Sequence, residues 1–223
     1  MHFRHEWKHV INFSDMMIIR QRLSAVAQPD AHAVDGRYII RSLYFDNLAD
    51  KALREKIDGH NFKEKFRLRF YNYDDSLIHL EKKSKRNNLC NKQKAAITAA
   101  ETRALIAGDV DFMLDCDRPL LRELYCKMRL QGLRPRTIVD YIREPFVYAP
   151  GNVRVTLDHH LRTGLNCIDF LDPHCLTIPA AQAPILLEVK WDEYLPDIIR
   201  DAVQLDSRRV GAFSKYAACR IYG

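Results

Sequence analysis

The chain has 223 residues, 47% of them apolar and 29% charged, which is enough hydrophobic material for a packed core and excludes wholesale disorder. Lysine and arginine outnumber aspartate and glutamate by 35 to 29, so an anionic partner is favoured over a cationic one. Six cysteines (Cys90, Cys116, Cys126, Cys167, Cys175 and Cys219) are scattered without a CxxC pair, which suits buried or free thiols in a reducing compartment better than a zinc site or disulfide framework.

The length fits a single domain over residues 1–223. Met1 to Lys8 carry charge in place of an apolar signal core. The most apolar later stretch, Leu176 to Leu187, is short and broken by Pro179 and Pro184, so no membrane span is expected. Taken in order, Arg4, Glu6 and Lys8 alternate with His5, Trp7 and His9, the period of a strand with one charged face. Ser14 and Asp15 offer caps for a helix running towards Ala27. Between Lys65 and Tyr71 a second strand sets Lys65, Arg67 and Arg69 against Phe66, Leu68 and Phe70. Thr98 with Glu101 has the spacing of a capping box ahead of Ala104, Leu105 and Ile106. Asp117 and Pro119 open a third helix, which Gly132 closes. Arg154, Thr156 and Asp158 alternate with Val153, Val155 and Leu157. Asp172 to Pro184 reads as a long loop, and from Ile185 to Trp191 Glu188 and Lys190 oppose Leu187, Val189 and Trp191. A fourth helix starts near Pro196, with Ile198, Ile199 and Val203 as its inner stripe.

Taken singly, each charged strand face is an ordinary solvent face. Together they repeat arginine, lysine and a glutamate-x-lysine unit, at Glu6/Lys8, Glu81/Lys83 and Glu188/Lys190. Arginine offers a planar, bidentate donor to phosphate oxygens and lysine a compact charge, so their concentration on facing strands builds an anion site. The interspersed glutamates would repel phosphate unless a divalent cation lay between them. Closing such strands with the apolar faces outward, under the helices, gives a polar lumen whose buried charge needs a ligand as counter-ion.

Eight motifs run in one order: Arg4-x-Glu6-x-Lys8; Ser42-Leu43-Tyr44-Phe45-Asp46-Asn47; Lys65-x-Arg67-x-Arg69; Leu80-Glu81-Lys82-Lys83; Tyr141-x-Arg143; Val153 to Asp158; Leu187-Glu188-Val189-Lys190; and Phe213-Ser214-Lys215-Tyr216. In this order and over nearly the whole chain, the sequence resembles the VTC domain, the polyphosphate polymerase branch of the triphosphate tunnel metalloenzymes in the CYTH-like superfamily. The resemblance implies an α+β fold in which a closed, eight-stranded antiparallel β-barrel forms a tunnel flanked by helices. It also implies binding of the triphosphate of ATP with Mn2+ or Mg2+ and transfer of the terminal phosphoryl group to a polyphosphate chain. By position, Lys8, Arg67, Arg69, Lys83, Arg143, Arg154 and Lys215 match the family's phosphate-binding residues. Lys92, Lys94 and Lys190 add basic residues to that set, with the choice between Lys92 and Lys94 open. Glu188 matches the metal ligand, joined by Glu6 or Glu81. The group expected to carry catalysis is Lys8, Arg67, Arg69, Lys83, Arg143, Arg154 and Glu188.

Two positions depart from the pattern. Arg4 stands where the small triphosphatases and class-IV adenylate cyclases of the superfamily have a glutamate, which favours the VTC branch. Ala212 and Phe213 stand where eukaryotic members often carry a further lysine. The alternatives are an inorganic or nucleoside triphosphatase on the same scaffold, and a non-catalytic polyphosphate-binding module. Nucleic acid is not expected: Lys82-Lys83-Ser84-Lys85-Arg86 reads as a solvated strand end, and no helix-turn-helix or zinc-knuckle spacing accompanies it. His2, His5 and His9, and the pair His159 and His160, read as structural residues. No G-x-x-x-x-G-K-S/T loop occurs, so ATP would be held without a P-loop. The expected location is cytoplasmic, reaching the inner face of a membrane only through a separate membrane subunit.

Overall fold

A computed structural model describes residues 4–86, 89–180, 183–205, 208 and 210–220, so His2 lies outside the described residues. In chain order the first elements are β1 (His5–Ile11), α1 (Phe13–Val26), β2 (Gln28–Pro29), β3 (Tyr38–Asp46), α2 (Lys51–Ile57), β4 (Phe62–Tyr71), β5 (Asp74–Arg86) and β6 (Leu89–Ile97). They continue with α3 (Ala99–Ala107), α4 (Pro119–Gln131), β7 (Arg134–Tyr148), β8 (Val153–Thr163), β9 (Ile178–Pro179), β10 (Ile185–Trp191), α5 (Asp197–Val203) and α6 (Lys215–Arg220).

The chain forms two compact units, one of Met1–Ile39, Tyr141–Leu161 and Ala181–Phe213, the other of Ile40–Asp140, Arg162–Ala180 and Ser214–Gly223. In the first, β10 lies antiparallel between β1 and β8. The apolar parity of these strands (Val153, Val155, Leu157, Leu187, Val189 and Trp191) is buried against Met16, Ile19 and Leu23 of α1 and Ile199, Ala202 and Val203 of α5. This burial is what holds α1 and α5 on the sheet, since short helices are marginal without tertiary packing. The cap of α1 is Asn12, two positions before Ser14. Its Oδ1 accepts the Asp15 N–H at 2.8 Å, and the Asp15 carboxylate accepts the Asn12 N–H at 3.1 Å. Ser14 therefore sits within the first turn. In α5 the buried stripe is Ile199, Ala202 and Val203, and Ile198 is turned out and 48% exposed.

In the second unit β3, β4, β5 and β6 form an antiparallel meander. Phe66, Leu68 and Phe70 of β4 enter a core with Leu80, Ile97, Leu105 of α3 and Leu120, Leu121 and Leu124 of α4. The expected caps hold here. Thr98 and Glu101 form a reciprocal capping box on α3, Pro119 opens α4, and Gly132 ends it at φ 66°, a left-handed conformation that favours glycine. Thr98→Ala removes the side-chain acceptor of the Glu101 N–H. The expected loss is about 1 kcal/mol of unfolding free energy, read by urea titration. The described cysteines Cys116, Cys126, Cys167, Cys175 and Cys219 are free.

The strands do not close into the expected eight-stranded barrel. The hydrogen-bonded order is β1-β10-β8-β7-β3-β4-β5-β6, with β2 beside β7 and β9 beside β8, giving an open sheet of ten strands. Its end strands, β1 and β6, have no ladder joining them among the described residues. A barrel needs its first and last strands to pair at a tilt and stagger shared by all strands. Alternation within a strand reports its two faces and carries no information about that last pairing.

Candidate anion-binding site

In the first unit, the register of β10 sets the charged face. Glu188 lies opposite Lys8 of β1 and Thr156 of β8, and Lys190 lies opposite Glu6 and Arg154. Lys8 Nζ is 2.9 Å from both Glu6 and Glu188, whose second oxygen is 3.1 Å from Lys190 and 3.6 Å from Arg143. Arg143 grips Asp158 in a fork, Nε to Oδ1 at 2.6 Å and Nη2 to Oδ2 at 2.7 Å. Arg154 Nη2 lies 3.0 Å from Asp30. Arg4 is held by Asp192 at 2.8 Å.

Burial opposes the charge of Glu188, but Lys190, Lys8 and Arg143 outweigh it and hold its pKa well below the usual carboxylate range. Likewise burial disfavours the Lys8 ammonium, and Glu188 and Glu6 more than offset it and raise its pKa. Arg143 is raised against burial chiefly by Asp158. All three are charged at neutral pH. Two donors on the same strand face are left over. Arg154 Nε and Thr156 Oγ1 are buried without a hydrogen-bond partner among the described residues. Each such group costs roughly 1–3 kcal/mol, which a ligand bringing acceptor oxygens would recover.

In the second unit Arg67 stands opposite Glu81, which stands opposite Lys94. Glu81 Oε2 takes Arg67 Nη2 at 2.6 Å and Arg69 Nη1 at 3.9 Å, and Oε1 takes Lys92 at 2.6 Å. Arg67 also donates to the Tyr44 hydroxyl at 2.8 Å, and Arg69 Nε to the Ser42 hydroxyl at 3.0 Å. Burial raises Glu81, but Arg67, Arg69 and Lys92 depress it below the usual range. The face thus fixes both guanidiniums by carboxylate and hydroxyl, so their donor geometry is set before any ligand arrives. Lys92 and Lys94 share this face. Lys92 engages Glu81, and Lys94 is exposed. Lys83 is exposed opposite Lys65. Lys215 opens the short helix α6.

Ser42, Tyr44, Asp158 and Asp30, which anchor the arginines, are not among the site residues expected from sequence. Ser42, Tyr44 and Asp158 stand inside the motifs, two residues apart or on the parity of a neighbouring arginine, and that spacing was the available signal. Asp30 follows Pro29 with no periodicity to mark it. Among the histidines, His5 stacks on Trp191 at 5.3 Å and His159 Nε2 meets Glu144 at 2.8 Å. Glu144 is also forked by Arg20, Nε and Nη2 each at 2.6 Å.

Burial opposes ionisation of Glu144, but His159 and Arg20 bring its pKa down to about 2. The folded value is below the unfolded one, so this carboxylate adds stability above pH ~4.3, and that contribution fades as pH falls towards about 2. Urea titrations from pH 5 to 2, about those values, should give a steeper acid loss for the native chain than for Glu144→Gln.

No group of three His, Cys, Asp or Glu side chains gathers to hold a metal among the described residues. Glu6 and Glu188 do converge on one ammonium, that of Lys8, and so supply two carboxylates. Mg2+ and Mn2+ ordinarily take one or two carboxylates and complete their shell with phosphate and water, so this pair fits such an ion. Glu81 belongs to the other unit, where both its oxygens are taken by cations.

A family model described as VTC domain matches residues 3–221. No curated protein sequence matches the chain. A solved structure described as a candidate adenylate cyclase from Bacillus halodurans superposes with a TM-score of 0.53 at 8% identity, over 85% of this chain and 80% of that one. A Pyrococcus horikoshii protein matches with a TM-score of 0.45 at 15% identity, over 90% of this chain and 84% of that one. At these identities the likeness concerns the fold. The chain belongs to the VTC domain family.

Proposed function

We propose that this chain binds the triphosphate of ATP with Mn2+ or Mg2+ and transfers the terminal phosphoryl group to a polyphosphate chain. The observation that carries this reading is the preset cationic face of the first unit. Arg143 is locked by Asp158, Arg154 by Asp30, and the buried donors Arg154 Nε and Thr156 Oγ1 have no acceptor among the described residues. Phosphoryl transfer asks for alignment and charge stabilisation and little covalent chemistry, which such a face supplies.

In this reading Arg67, Arg69, Arg143 and Arg154 hold non-bridging oxygens, while Lys8, Lys83, Lys190 and Lys215 neutralise acceptor and leaving phosphates, with Lys92 and Lys94 at the margin. Glu188 and Glu6 would hold the divalent ion, which when bound neutralises phosphate charge and orients the nucleotide. Phosphate then replaces the glutamates as partner of Lys8 and Lys190.

Family membership supports a phosphotransferase of the tunnel type. Among the described residues no helix is long and apolar enough to cross a membrane. The test is incubation of the purified chain with ATP and Mn2+, followed by thin-layer chromatography. Lengthening polymer is the expected result. Free phosphate alone would make the chain a triphosphatase, and binding without turnover would make it a polyphosphate-binding module.

A further inference from the structure

A half-buried cation of the second unit, Lys65, is held by a hydroxyl and an aromatic ring. Lys65 shares the face of β4 with Arg67 and Arg69, but it has no carboxylate partner among the described residues. Its ammonium donates to the Ser214 hydroxyl at 3.0 Å and lies 5.6 Å from the centre of the Tyr216 ring. Directly across the strand pair stands another cation, Lys83. Like charges facing each other across a ladder repel, and a half-buried ammonium without an anion is unfavourable. Asp46, which lines the same pocket as Lys65, is engaged elsewhere. The Asp46 carboxylate accepts the Tyr216 hydroxyl at 2.6 Å and the N–H groups of Asn47, Ala52 and Leu53 at 2.9, 2.9 and 3.2 Å.

We propose that Lys65, Lys83 and the Ser214 hydroxyl form a phosphate subsite, and that Lys65 takes up a proton when a phosphate group of the substrate chain binds there. The subsite rests on the triphosphate-binding reading above and extends it to a residue outside the expected phosphate-binding set. A phosphate between the two ammoniums turns their repulsion into a bridge, with the hydroxyl as a further donor.

The charged and titratable groups acting on Lys65 are Tyr44 of β3, Lys56 of α2, Arg67 of β4 and Lys83 of β5, with the Tyr216 ring of α6 beside its ammonium and Asp46, Lys51, Glu55 and Glu64 lining the same pocket. Burial, with Lys56, Lys83 and Arg67, draws Lys65 down to about 8 against the opposing pull of Tyr44. A bound anion favours the charged form, so an amine partly neutral at this pH gains a proton on binding. Tyr44 must be separated from it. Burial opposes ionisation of this phenol, but Arg67, Arg69 and Lys65 bring it to about 8 as well.

The experiment is calorimetric titration of tripolyphosphate, without nucleotide or metal, into the full chain at pH ~8, the value to which Lys65 is drawn, in two buffers of different ionisation enthalpy. Lys65→Arg keeps the charge at all accessible pH. It should bind within about threefold of the native chain and take up roughly half a proton less. Lys65→Met should bind about ten- to a hundredfold more weakly. Tyr44→Phe should retain the Lys65-dependent uptake. Circular dichroism melting establishes that each variant is folded. Native affinity in Lys65→Met, or native proton uptake in Lys65→Arg, overturns the subsite when Arg67→Ala still weakens binding. Failure of the native chain to bind tripolyphosphate overturns the triphosphate reading itself, and the subsite with it.

Discussion

Glu188→Gln is expected to lower metal-dependent turnover of ATP by about a hundredfold or more, since a metal ion's stabilisation of transferring charge is worth several kcal/mol. The substitution keeps the shape and removes the anion. Lys8 retains Glu6, and Arg143 retains its fork on Asp158, so those side chains stay anchored. What changes is the balance on the face: Lys190 loses its carboxylate partner and the site gains net positive charge. Removing one member of a buried ion group also costs stability, so melting temperatures are measured alongside. Tripolyphosphate binding without metal should hold or tighten, because a carboxylate no longer repels the phosphates. Full turnover at saturating Mn2+ would refute the assignment of Glu188. Loss of metal-free binding together with turnover would mean that Glu188 acts by organising the cations.

Arg67→Ala should weaken triphosphate binding by about ten- to a hundredfold, the loss of one or two charge-assisted hydrogen bonds. Arg67 occupies the middle of its cluster. Nε and Nη2 meet Glu81 at 2.8 and 2.6 Å, and Nη1 meets the Tyr44 hydroxyl at 2.8 Å. In its absence Glu81 keeps Lys92 at 2.6 Å and Arg69 at 3.9 Å, so the carboxylate is not stranded and the strand pair should persist. Arg67→Lys separates charge from geometry. It restores the positive charge without the planar fork and should recover only part of the affinity. Calorimetry reads both variants, and native affinity in Arg67→Ala would remove the second unit's arginines from the binding account.

The strand faces were legible because the side-chain period of a strand is fixed by its backbone. Phe66, Leu68 and Phe70 could lie only opposite Lys65, Arg67 and Arg69, and the core confirms that division. The caps at Thr98 and Gly132 were legible for the same local reason, a few consecutive residues satisfying their own backbone groups. Two helix details differ from expectation, one by a competing local cap and one by packing. Asn12 took the cap expected of Ser14 or Asp15, and Ile198 turned outward when the packing of Ile199, Ala202 and Val203 set the rotation of α5.

The order of residues along the chain sets the two-faced strands, the concentration of arginine, lysine and glutamate on one face, and a motif order that marks the VTC family. Tertiary structure alone decided that β1 and β6 end an open sheet, because pairing between distant strands leaves no trace in either strand's own pattern. It alone decided which anion holds which cation. Asp158 for Arg143, Asp30 for Arg154 and a bare hydroxyl for Lys65 follow from register and burial. Coulomb attraction between side chains depends on their distance in space, which separation along the chain does not specify.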